Sequence, residues 1–195
     1  MRHSQAAIPD YSVDARRGIL VAARQVPSPN FDSRPDGVTA ELIVVHGISL
    51  PPGEYGGPWI DRLFSNELPA GAHPYFDEVR SLRVSSHLLI RRDGNIVQYV
   101  SFNARAWHAG RSSFAGREGC NDFSIGVELE GTDDTPYERV QYVNLAAVIR
   151  ALCAAYPALS PRRLVGHSDI APGRKTDPGA CFDGQLAREL IGPGT

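Results

Sequence analysis

The chain lacks a long hydrophobic run, an excess of one charge and closely spaced cysteines, and each absence removes a class of function. No apolar stretch approaches the ~20 residues of a membrane-spanning helix. The opening Met1-Arg2-His3-Ser4-Gln5-Ala6-Ala7-Ile8-Pro9 carries no apolar core of leader length. No membrane partner is therefore expected. Twenty Lys and Arg stand against 22 Asp and Glu, for a net charge of -2, a balance that favours neither nucleic acid nor an anionic surface as partner. The three cysteines, Cys120, Cys153 and Cys181, are odd in number and far apart. That pattern suits free thiols in a reducing compartment, so a cytoplasmic location is expected. Repeats, heptads and low-complexity linkers are also missing.

What is present describes one globular domain. A chain of 195 residues, 42% hydrophobic and 22% charged, can bury a real core but has no room for a second large one. Residues 1–40 form a lead-in; from Tyr11 to Ala40 it is rich in Pro, Asp, Arg and Ser, with one apolar run at Gly18 to Ala23, and reads as an edge strand or a short turn-rich segment. Residues 41–182 read as the core, and 183–195 as a C-terminal helix and tail, the helix running from about Phe182 to Ile191 and ended by Gly192 and Pro193. Leu42 to His46 is a buried strand. Pro58 opens a short helix to about Phe64. Glu67 to Leu82 reads as irregular, with an apolar tip at Tyr75 and Phe76. Ser86–Arg91 and Asn95–Val100 flank Asp93-Gly94, a two-residue hairpin signal. Ser101 to Asp122 is a long stretch around Trp107 and His108 that we expect to wall a cleft. Thr135-Pro136-Tyr137-Glu138 reads as a capping box. After it, Leu145, Val148, Ile149, Leu152 and Tyr156 share one helical face, Cys153 sits beside that face, and Pro157 stops the helix. Strands and helices interleave, so the fold class is α/β or α+β around a mixed sheet.

The chemistry gathers on His167-Ser168-Asp169-Ile170-Ala171-Pro172-Gly173-Arg174-Lys175-Thr176-Asp177-Pro178-Gly179. Its prolines and glycines forbid a helix interior or a central strand, so it reads as a stiff loop. The short strand Arg163–Gly166 delivers His167 to the loop. A histidine and an aspartate held together suit a cation such as zinc. A third ligand must come from elsewhere, and His46, at the end of Glu41-Leu42-Ile43-Val44-Val45, is the candidate. Phe123-Ser124-Ile125-Gly126-Val127-Glu128 repeats the design, an apolar strand ending in a carboxylate. Ligands in open sheets bind beyond strand ends, so His46, Glu128, His167, Lys175 and Asp177 are expected to converge. Taken singly, each has a bland reading: a hydrogen-bonded strand-end histidine, a surface glutamate, a solvated lysine, an aspartate that opens a turn.

These segments resemble the zinc-dependent N-acetylmuramoyl-L-alanine amidases, a superfamily that includes peptidoglycan recognition proteins and phage amidases. The match is best to its AmpD type, which acts on 1,6-anhydro muropeptides. Further segments carry the resemblance: His46-Gly-Ile-Ser-Leu-Pro-Pro-Gly53, Arg83-Val-Ser-Ser-His-Leu-Leu-Ile-Arg-Arg-Asp-Gly94 and Trp107-His-Ala-Gly110. It runs from about Leu42 to about Phe182. The resemblance implies one sheet flanked by helices, with zinc at strand ends on one face. It implies His46, His167 and Asp177 as ligands of one zinc ion, Glu128 as general base and then acid, and Lys175 as the cation for a developing oxyanion. Arg83, Trp107, His108, Leu129 and Ala171 are implied for, or expected at, the substrate cleft. Recognition proteins use a cysteine where Asp177 stands, and Cys120 or Cys181 is the lesser alternative ligand. His87, in mid-strand, reads as structural. Two positions depart from the pattern: Gly47 replaces an asparagine and Gly119 an arginine, each removing a polar contact to substrate rather than a ligand. The implied reaction is hydrolysis of the amide between N-acetylmuramic acid and L-alanine, in cell-wall recycling and indirectly in beta-lactamase induction. A small muropeptide is the expected partner of a monomer. A non-catalytic peptidoglycan-binding module and an amidase of the polymeric wall are the competing readings.

Overall fold

Two parallel strands lie at the centre, and their sequences explain why. β5 (Leu42–Ile48) and β11 (Ser124–Glu130) are apolar along most of their length because both faces of the sheet are covered. The computed structural model describes residues 8–192. The first seven residues and Pro193 therefore lie outside the described residues. Before β5 come β1 (Val13–Asp14), β2 (Ile19–Leu20), β3 (Arg24–Gln25) and β4 (Phe31–Ser33). After it come α1 (Trp59–Phe64), α2 (Pro74–Val79), β6 (Leu88–Ile90), β7 (Ile96–Gln98), β8 (Ala104–Ala106), β9 (Ser113–Phe114) and β10 (Arg117–Glu118). β11 is followed by α3 (Arg139–Ala155), β12 (Leu164–Gly166), α4 (His167–Ile170) and α5 (Gly184–Ile191). The main sheet has the order β12-β5-β11-β6-β7-β3. Its first four strands are parallel; β7 turns antiparallel to β6 and β3 runs alongside β7. It is a mixed sheet in a single domain.

Alternation assigns the faces. Ile43, Val45, Ile125, Val127 and Leu129 point to one side and pack with Leu145, Val148, Ile149 and Leu152 of α3. α3 is buried nearly all round because α5 lies against its outer side, with Ala187 and Ile191 in the same cluster. Leu42 and Val44 point to the other side, with Ile170, Ala109 and Phe123. His46 and Glu128 follow that second set.

Several elements differ from the sequence expectation. The lead-in does supply an edge strand, β3 beside β7, but it also pairs β4 with β8, which was not expected. Tyr75 and Phe76 belong to α2, where His73 caps the first turn by accepting from the Tyr75 N–H and Phe76 is fully buried. The hairpin loop has three residues rather than two. Arg91 and Asn95 pair, and Gly94 takes the left-handed conformation at φ +89°. α3 starts at Arg139, with Glu138 as cap and Gln141 as its reciprocal partner. Residues 135–138 stay outside it because the Tyr137 ring is buried against Tyr142 and Phe182. The stretch expected as a stiff loop begins with a single helical turn, His167–Ile170, closed by the Gly166 N–H donating to Asp169.

Candidate active site

Strand register builds the site. His46 and Glu128 are direct partners on adjacent parallel strands, and Gly166 pairs with Val45 on the next strand. His167 therefore emerges beside His46, and the three residues stand in a row at the carboxyl ends of β12, β5 and β11. Asp177 comes back from the loop to meet them, its carbonyl accepting the Ser168 N–H at 2.9 Å. His46 Nδ1 lies 3.0 Å from His167 Nδ1 and 3.1 Å from Asp177 Oδ2, and His167 Nδ1 lies 3.0 Å from the same oxygen. Both histidines are buried, at 2% and 3% exposure.

Three donor atoms in so even a triangle fit one cation. Ligands at about 2.0–2.1 Å from a tetrahedral zinc stand roughly 3.4 Å apart, close to the observed edges. With three protein donors, a zinc ion held here would keep a position free for water or substrate. The His-His-Asp set is also the chemistry zinc takes, nitrogen and carboxylate oxygen. Neutral imidazoles and an ionised carboxylate make a cation welcome here, where burial alone would oppose it. His46 is pushed down to about 4, chiefly by desolvation and against the opposing pull of Asp177, so it stays neutral and offers a lone pair. Burial alone would raise the Asp177 carboxyl, but its close contacts with the His167 and His46 imidazoles win and hold it below the carboxylate range.

Glu128, Lys175 and the three cluster residues line one cleft of about 520 Å³. Burial first, and the Asp177 charge second, push the Glu128 carboxyl well above the ordinary range. Such a group suits proton exchange near neutral pH. Lys175 sits on the exposed part of the loop, so its cation reaches the cleft without the cost of burial.

The residues implied for substrate divide. Trp107 and His108 line the cleft. Trp107 is fixed by its indole N–H donating to Asp32 at 3.2 Å. Arg83 is exposed and folds back onto the carbonyls of Arg80, Ser81 and Leu82. Leu129 turns into the core under α3, because its neighbour Glu128 takes the cleft side. Ala171 is buried and lines a separate cavity with Arg111, Ser112, Gly119 and Arg174. Cys120 and Cys181 are not in the His-His-Asp group. His87 is structural: its Nδ1 accepts the Gly126 N–H at 3.0 Å and its other nitrogen meets the Ala104 carbonyl. Sequence reasoning missed Phe64, Tyr75, Leu82 and Val84 as apolar cleft wall. Only the Tyr75-Phe76 pair gives a signal, as an apolar tip in a stretch that reads as irregular.

The fold and the cluster together define a class: a hydrolase whose His-His-Asp centre sits beyond the ends of adjacent parallel strands. A model of the N-acetylmuramoyl-L-alanine amidase family matches residues 36–180. The chain belongs to this family and is an N-acetylmuramoyl-L-alanine amidase. It is 61% identical, over 90% of its length and 95% of the relative's, to the 1,6-anhydro-N-acetylmuramyl-L-alanine amidase AmpD of Escherichia coli K12. Its identity to the Haemophilus influenzae protein of the same name is 49%, over 87% and 92% of the two chains. The crystal structure of a selenomethionine AmpD derivative superposes with a TM-score of 0.88 at 59% identity, covering 92% of this chain and 98% of that one. A more distant likeness, TM-score 0.57 at 26% identity over 80% and 60% of the chains, is to Escherichia coli AmiD in complex with anhydro-N-acetylmuramic acid-L-Ala-D-gamma-Glu-L-Lys. Among the described residues, no helix is long and apolar enough to cross a membrane.

Proposed function

We propose that this chain, with one zinc ion held by His46, His167 and Asp177, hydrolyses the amide between 1,6-anhydro-N-acetylmuramic acid and the L-alanine of a stem peptide. The observation that carries the reading is the 3.0–3.1 Å triangle of donors beside a buried glutamate. The names of the relatives, and a homologue's complex with an anhydromuramyl peptide, supply the substrate class. The setting is cell-wall recycling, with an indirect effect on beta-lactamase induction. Three unpaired cysteines support a cytoplasmic location, where the chain would act as a monomer on a small muropeptide.

When bound, zinc supplies Lewis acidity, polarising the scissile carbonyl and acidifying water. The chain's own residues do the rest. Glu128 takes the proton of the attacking water and passes it to the leaving amine of L-alanine. Lys175 pairs with the negative oxygen that develops as the carbonyl becomes tetrahedral, an effect worth about 3 kcal/mol for a well-placed donor. Trp107 offers a flat apolar face to the sugar or peptide. The test is mass spectrometry of products from anhydro-N-acetylmuramyl-tripeptide, with and without a chelator. Free tripeptide and the free anhydro sugar are expected only when metal is present. Equal release in chelator, or none with metal, overturns the reading.

A further inference from the structure

Trp107-His108-Ala109 does more than wall the cleft. We propose that this segment is the outer clamp of the metal site, and that His108 is a positioning residue that locks His46 in its ligating tautomer. The proposal rests on the ligand set proposed above.

The argument follows single protons. The Ser124 hydroxyl lies 2.6 Å from the Cys120 carbonyl, which can only accept, so the one hydroxyl proton goes there. Ser124 Oγ must then accept from His108 Nε2, 3.1 Å away. His108 thus carries its proton on Nε2 and presents a bare Nδ1. That Nδ1 lies 2.9 Å from His46 Nε2, which must donate to it. A neutral His46 with its proton on Nε2 has a bare Nδ1, and Nδ1 is the atom that joins the triangle with His167 and Asp177. His167 reaches the same state from the next residue, its Nε2–H donating to the Ala109 carbonyl at 3.1 Å. One short segment therefore sets both ligands.

Two further observations fix the clamp. Asn121 Oδ1 accepts the backbone N–H of His108 at 3.2 Å and of Ala109 at 2.8 Å. Gly126 has no positive φ to justify glycine, yet a Cβ there would stand 2.6 Å from the His108 ring. Its missing side chain is the space that the imidazole occupies.

The experiment compares His108→Phe, His108→Asn and Ser124→Ala with the parent. Phenylalanine keeps a ring against Gly126 but offers His46 no acceptor. Asparagine puts an amide oxygen near the Nδ1 position. Long-range proton–nitrogen NMR of the metal-free proteins reads the His46 tautomer, and competition with a chelator reads zinc affinity. The parent is expected to show His46 protonated on Nε2. His108→Phe is expected to give a mixture of tautomers and about 10–100-fold weaker zinc binding, His108→Asn to recover most of it, and Ser124→Ala to give a mixture with a smaller loss. A parent His46 protonated on Nδ1, or His108→Phe with an unchanged tautomer and affinity, overturns the proposal. A parent that shows the expected tautomer but binds no zinc overturns the ligand set instead, and leaves the hydrogen-bond relay standing.

Discussion

Single residues carry the chemistry, and substitution of each has a distinct signature. Glu128→Gln keeps the shape of the side chain and removes its proton exchange. Turnover is expected to fall about 10²–10⁴-fold while zinc still binds at one equivalent; near-parent turnover would remove the general-base role. The resemblance assigns Gly47 the loss of a polar contact to substrate, and the structure adds a packing reason for glycine there. A Cβ at Gly47 would collide with the Tyr137 hydroxyl, which donates to the Pro178 carbonyl at 2.9 Å. Gly47→Ala is therefore expected to destabilise by about 1–3 kcal/mol. Combined with Tyr137→Phe it is expected to cost less than the sum of the single changes. Urea midpoints of the four proteins check this, and strict additivity would show that the two side positions do not compete. The sequence showed that a glycine stood there. Only the structure shows which distant atom requires it.

At the scale of elements, the long apolar runs were legible and the short ones were not. β5 and β11 announce themselves because both faces are covered, and His46 and Glu128 could be picked out as the chemical residues that follow each run. Their register could not be read, yet register makes the two residues neighbours. Strands of two or three residues, such as β3, β8 and β10, are too short to show a period and form only because a partner strand is near. The start of α3 was placed too early for a different reason. The cap is a glutamate, and the Thr-Pro pair before it mimics a stronger signal. Because Glu138 and Gln141 cap each other's backbone and Glu138 also meets Arg92, Glu138→Ala is expected to cost about 1 kcal/mol. A thermal midpoint unchanged by this substitution would show that α5 and the sheet alone fix the end of α3.

For the whole molecule, buried neutral histidines couple stability to pH. Burial lowers His46 to about 4 and His87 to about 3, and holds His108 below its ordinary value in the same way, with the neighbouring His46 adding to the effect. For a group whose folded value is depressed, the stabilisation is present above the unfolded value near 6.5 and is lost as pH falls toward the folded value. The metal-free protein is therefore expected to lose stability steadily from about pH 6.5 down to about 4, by roughly 3 kcal/mol for His46 alone. Glu128 works in the opposite direction, since its raised carboxyl binds a proton more readily in the fold than in the unfolded chain and so favours lower pH. Three histidines against one glutamate set the net sign. Urea midpoints in chelator across that range check it, and a flat profile would contradict the burial of these groups.

The central claim is that His46, His167 and Asp177 hold one zinc ion that the hydrolysis requires. Titration of the chelated protein with zinc, following release of tripeptide from anhydro-N-acetylmuramyl-tripeptide, tests it most directly. The account predicts no release at the start, a linear rise that breaks at one equivalent, and no recovery in Asp177→Ala at that dose. Full activity in the metal-free protein, or an Asp177→Ala titration that matches the parent, would contradict it.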